Sequence, residues 1–177
     1  MTLAKKEMRY PKIIPVLLAG LAFMIGVAGC NQKSMRQASS SMEPTIKQGE
    51  VVSVDLASYS KSTPSRWDVI VFESPISSDG QWLGRVVGLP GESIGIRSGS
   101  IVINGKEETL PSHLTIGDYQ PAKTENMALG GLSPVTFPFK IPQGSYFVLG
   151  DNVSNALDSR YWGALDGSKI LGKVPGK

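Results

Sequence analysis

The 177-residue chain reads as a mainly β body of antiparallel sheets behind one N-terminal apolar helix. Three observations point there. Short β-branched runs recur along the chain, each bounded by Gly, Pro, Asp or Ser. One longer segment alternates apolar and polar residues around tight-turn dipeptides. Past residue 30, no segment keeps a helical period. The length suits one domain with an extension. With 41% hydrophobic and 19% charged residues, the chain has the proportions of a protein that buries a core, which argues against wholesale disorder.

Taken in order, the chain opens on a basic tip, in which Lys5, Lys6, Arg9 and Lys12 outnumber Glu7. Removing these from the 18 basic and 15 acidic residues leaves 14 of each. The net charge of +3 therefore sits at one end. A neutral body carries no electrostatic footprint for nucleic acid, and that partner class is set aside. The tip leads into "IIPVLLAGLAFMIGVAG" (13–29), an uncharged run that as a helix would rise about 25 Å, just short of a bilayer's hydrocarbon core. Basic residues ahead of such a run direct export, with the N-terminus held in the cytoplasm. The run closes on the only cysteine, Cys30. "VAGC" resembles the lipobox of bacterial lipoproteins, which implies cleavage before Cys30 and lipid on its sulfur. The alternative is an uncleaved transmembrane anchor with an incidental cysteine. Either way the body is expected in the bacterial envelope, tethered to membrane lipid on the non-cytoplasmic side. A lone cysteine excludes intrachain disulfides.

Residues 31–38 are polar and read as a tether. The eleven steps from Cys30 to Ser41 span at most ~40 Å, which keeps residue 41 near the membrane. The domain proper is expected over 39–177. "VVSVD" (51–55), "DVIVF" (68–72), "LGRVVGL" (83–89) and "YFVLG" (146–150) predict strands. "SIGIRSGSIVING" (93–105) predicts a hairpin around Ser98-Gly99, with a second tight turn at Asn104-Gly105. Residues 107–142, rich in Pro, Gly and Thr, read as an irregular insertion.

Three separated stretches, "SMEPTI" (41–46), "GRVVGLPGE" (84–92) and "GDNVSNALDSRYWG" (150–163), resemble in order and spacing the signature boxes of bacterial signal peptidase I. Members of that family are membrane-bound serine endopeptidases that remove leader peptides from exported proteins. The resemblance implies a signal peptidase-like β fold and makes Ser41 the nucleophile. It assigns Ser39 to the oxyanion hole together with the nucleophile's own amide. Preorganised donors at that point are needed because the tetrahedral intermediate places negative charge on the former carbonyl oxygen. Pro44 restrains the backbone that aims Ser41, and Met42 and Ile46 are expected to pack the segment down. Arg85, Asp158 and Arg160 match a family ion-pair cluster that braces the site.

The chain departs from the family at its base. There a lysine immediately precedes the arginine of the second box, and its neutral amine accepts the serine proton. Here that position is Gly84, and the nearest lysines in sequence, Lys61 and Lys106, lie outside the strand. The serine that supports the lysine amine is replaced by Ala156. His113, the only histidine, lies in the insertion, and Lys47 sits in an exposed-looking turn; both read as ordinary surface residues. Asp151 and Asp158 fit loop and ion-pair geometry better than glycosidase chemistry. With one Cys and one His, no zinc-type cluster is available, and no cofactor is implied.

Two functions follow. One is a serine endopeptidase cleaving signal peptides after small residues, with its general base unidentified. The other is a catalytically silent relative that binds signal peptides or exported preproteins as an extended strand, beside an active peptidase partner.

Overall fold

The computed structural model describes residues 31–78, 80–114, 116–122, 132 and 134–177. The apolar stretch at 13–29 and Cys30, and with them the expected helix and anchor, lie outside the described residues. Among the described residues, no helix is long and apolar enough to cross a membrane.

Eleven strands are formed among the described residues: β1 Gln32–Arg36, β2 Val51–Asp55, β3 Val69–Glu73, β4 Gln81–Gly88, β5 Ser93–Arg97, β6 Ser100–Ile103, β7 Lys106–Glu107, β8 Phe139–Lys140, β9 Ser145–Leu149, β10 Leu165–Asp166 and β11 Ile170–Lys173. Every pairing is antiparallel. A seven-stranded sheet runs β1-β2-β11-β3-β4-β9-β10, and a four-stranded sheet runs β7-β6-β5-β8. The one α-helix among the described residues, α1 (Ser159–Trp162), is a single turn capped by Asp158, whose side chain accepts from the Arg160 amide.

The expected strands and both turns are present. Ser98, Gly99, Asn104 and Gly105 all have positive φ, the left-handed geometry that closes tight hairpins. One expectation is corrected. Residues 32–36, read as a tether, form β1 and pair with β2 from Gln32↔Asp55 to Arg36↔Val51.

β3 is apolar from Val69 to Phe72 because both of its faces are covered there. Val69 and Val71 join Met42, Ile46, Val52, Val54, Leu83 and Val174 on one side. Ile70 and Phe72 join Val86, Tyr146, Val148 and Leu165 on the other. β9 alternates in the same way, sending Phe147 and Leu149 to a third cluster with Ile94, Ile101 and Ile141 under the smaller sheet. The strands β3, β4 and β9 are thus clamped between layers, and the site lies at the end of this clamp.

Candidate active site

The segment after β1 turns back through Ser39–Ser41 and enters the core at Met42 and Ile46, both fully buried. These two anchors fix the segment from below. From the side, the Asn152 amide donates to the Ser41 carbonyl (2.9 Å), and Asn152 Nδ2 donates to the Ser40 carbonyl (3.0 Å). Gly150 makes this approach possible. A Cβ there would lie 2.6 Å from the Ser41 carbonyl oxygen and 2.4 Å from Ala156 Cβ, both closer than real side chains come.

Ser41 is half-buried and opens onto a groove of about 360 Å³ bordered by β1, β4, the end of β9 and the loop at 155–158. Its Oγ has two partners. Ser39 Oγ shares a hydrogen bond with it at 3.1 Å, and Gln37 Nε2 donates to it at 3.1 Å. The Ser41 amide points to Ser39 Oγ at a long 3.4 Å. The two serines singled out in the sequence are therefore adjacent at the groove. Gln37, which sequence reasoning missed, is the third member. It is only 4% exposed, and its main chain is locked by its N–H to the Glu50 carbonyl (2.9 Å) and by the Gly49 N–H to its own carbonyl (2.8 Å). A glutamine just after a polar strand carries no signal that would separate it from a surface residue.

Gly84 lines the groove, but the space a side chain would take is closed. A Cβ at this position would stand 2.5 Å from Val148 Cγ1 and 3.2 Å from Phe72 Cε1. Ala156, where the family pattern has a hydroxyl, lines the same groove. The described groove lining contains no lysine and no histidine; its charged residues are Arg36 and Asp158. His113 lines a different hollow with Pro44, Thr45 and Lys177, and Lys47 is exposed. Neither is brought to the groove.

The bracing residues form two ion pairs rather than the single cluster expected. Arg85, fully buried, meets Asp151 in a two-pronged contact, Nε to Oδ1 at 2.8 Å and Nη2 to Oδ2 at 2.6 Å. It also donates to the Trp67 carbonyl at 2.7 Å. Thr45 Oγ1 donates to Asp151 as well, so the first and third boxes are bolted together through the arginine of the second. Asp158 takes the Arg160 fork, Nε to Oδ1 and Nη2 to Oδ2, both at 2.7 Å, and accepts from the Gly150 amide at 3.1 Å. Burial raises the Asp158 carboxyl above its ordinary value, opposed by Arg160 and by the Gly150 and Arg160 amides. With both oxygens committed to this fork, Asp158 is a brace and not a free base. Asp151 as the partner of Arg85 was visible in the sequence only as a member of a loop. No three His, Cys, Asp or Glu gather to hold a metal among the described residues.

An antiparallel β body thus presents one anchored serine beside a second hydroxyl at a single groove. The family model for signal peptidase, peptidase S26, matches residues 10–176. Signal peptidase IB of Staphylococcus aureus is 34% identical over 140 residues, 76% of this chain and 71% of that protein. A probable signal peptidase I-2 of Synechocystis is 27% identical over 163 residues, 89% of this chain and 68% of that protein. Among solved structures, a signal peptidase I of Enterococcus faecalis matches with 29% identity and a TM-score of 0.49, covering 64% of this chain and 97% of that one. The chain belongs to the signal peptidase S26 family.

Proposed function

We propose that the chain is a membrane-tethered family member of the bacterial envelope that receives the small-residue end of a signal peptide, or of another exported preprotein, in its groove. It holds that peptide without turning it over by the serine–lysine route. One observation carries this reading: Val148 covers Gly84, and the Ser41 hydroxyl meets an amide and a second hydroxyl. Neither accepts a proton at neutral pH. The outer strand β1 borders the groove through Met35 and Arg36. Its outer edge, unpaired among the described residues, supplies backbone donors and acceptors to which an extended peptide adds as a further strand.

A second reading, endopeptidase activity after small residues, is favoured by the adjacency of Ser39 and Ser41. In that reaction Ser41 Oγ bonds to the peptide carbonyl carbon and its proton passes to the leaving amine as the C–N bond breaks. Water then releases the acyl group. Water or a partner's amine would have to carry the proton, at a cost of several orders of magnitude in rate relative to a complete dyad.

The binding reading is tested with the full chain in detergent and a fluorescent peptide carrying an Ala-x-Ala end, followed by anisotropy. Saturable binding is expected. Trp82→Ala, at the groove wall, should weaken it roughly tenfold, as expected for truncating a buried aromatic contact. Wild-type protein that leaves the peptide free would overturn the reading.

A further inference from the structure

We propose that Gln37 is a positioning residue whose side-chain amide donates to the Ser41 oxygen, engages one of its lone pairs and so holds the hydroxyl below the reactivity of a free serine. The proposal rests on the reading of the groove as a peptide site that does not hydrolyse.

A serine hydroxyl has one hydrogen and two lone pairs. Gln37 Nε2 donates to Ser41 Oγ at 3.1 Å, and an amide N–H can only donate, so one lone pair is engaged. The Ser39 and Ser41 hydroxyls, 3.1 Å apart, share one hydrogen bond in which either oxygen can be the donor. In either direction the Gln37 amide withdraws one lone pair of Ser41 from nucleophilic attack, at a side chain that lines the groove.

The Gln37 amide is also held where it is. Its side chain is buried, with 4% of the residue exposed, and its main chain is tied on both sides to residues 49–50. An amide fixed in this way cannot swing aside at small cost, as a surface glutamine would. It also cannot serve as the missing base, because an amide does not bind a proton at neutral pH. Gln37 therefore restrains Ser41 where a lysine amine would have activated it.

The test reads the reactivity of Ser41 directly, with the full chain in detergent and an alkyl phosphonofluoridate. In labelling, Ser41 Oγ bonds to phosphorus, the P–F bond breaks, and the hydroxyl proton leaves to water with fluoride. Peptide mapping locates the label, and Ser41→Ala supplies the blank. Gln37→Met keeps the bulk and frees a lone pair. The labelling rate should rise roughly five- to tenfold, the worth of one released hydrogen bond. Gln37→Glu replaces the donor with an acceptor. It should label faster still, with a rate that climbs with pH as the buried carboxyl, its pKa raised by desolvation, gives up its proton. A merely structural role would produce neither the rise nor the pH profile. If Gln37→Met labels at or below the wild-type rate while keeping the native circular dichroism spectrum, the proposal is overturned. Should Gln37→Met not fold, Gln37→Glu against wild type decides alone: faster supports it, equal or slower overturns it. No peptide enters this assay, so loss of peptide binding would sink the binding reading and leave the Gln37 result standing, and the reverse holds equally.

Discussion

Replacing Gly84 with alanine tests whether the place of the absent base has been closed by packing. The added methyl would stand 2.5 Å from Val148 Cγ1 and 3.2 Å from Phe72 Cε1, in a stretch where Gly84, Val148 and Phe72 are all buried. Overpacking of this kind costs about 1–3 kcal/mol. Val148→Ala, at a residue 1% exposed, leaves a void and costs roughly 1–3 kcal/mol on its own. In the double variant the new methyl takes the space of the lost ones. Its destabilisation should therefore fall short of the sum by about 1–2 kcal/mol, the coupling expected of residues in direct contact. Urea unfolding of the four proteins, read by tryptophan fluorescence, measures the cycle. Agreement with additivity within about 0.5 kcal/mol would refute the packing argument, because it would mean that the Val148 methyl does not occupy the space above Gly84. The same cycle shows why Gly84→Lys alone is a poor restoration. Its stem meets Val148, and Ala156, in the same groove, supplies no hydroxyl to support an amine.

Two further outcomes follow from the braces and the surface carboxylates. Asp151→Ala should destabilise the fold by about 3–5 kcal/mol in the same unfolding assay, because it leaves the fully buried Arg85 cation without its counter-charge; a loss below about 1 kcal/mol would place that pair effectively in solvent. Glu50, Asp55 and Asp166 all have lowered pKa values in the folded chain, owing chiefly to side-chain hydrogen bonds from Lys177, Ser58 and Ser168 respectively. A depressed carboxyl contributes stability that is present above its ordinary value, 4.5 for Glu50 and 3.8 for the two aspartates, and that is lost as pH falls through the folded value. The urea midpoint should therefore drop between pH 5 and pH 3 (round values about the reference carboxyl range), and Lys177→Met should shrink the part due to Glu50.

How much of this was legible in the residues depended on whether the signal was local. The buried strands β3, β4 and β9 announce themselves because both faces are covered and their β-branched residues run together. The β5–β6 hairpin shows because Ser98-Gly99 and Asn104-Gly105 are turn dipeptides. β1 was hidden for the opposite reason. "QKSMR" is an outer strand exposed along nearly its whole length, so it has no apolar alternation and looks like a tether. β11 is one residue shorter than β1, and its Gly172 sits where a Cβ would meet the Asp55 carbonyl oxygen at 2.6 Å, a crowding no sequence pattern displays. At the site, Ser39, Ser41, Arg85 and the emptiness at Gly84 could be read from the boxes. The pairing of Arg85 with Asp151, rather than with Asp158, is a choice made in three dimensions between two aspartates of one loop. Val148 over Gly84 depends on the register of β4 against β9, which shifts between Val86 and Gly88. Gln37 becomes meaningful only once the chain has turned back on itself and buried an amide that the sequence presents as polar surface.

The central claim is that this groove keeps the family's peptide site while its serine has lost its proton acceptor. The most direct measurement is the fate of an Ala-x-Ala peptide held by the full chain in detergent at saturating protein, followed by mass spectrometry over hours. The peptide should be recovered intact from wild type and from Ser41→Ala alike. Cleavage after the small residue by wild type, absent from Ser41→Ala, would contradict the account and restore the chain to the working peptidases of its family.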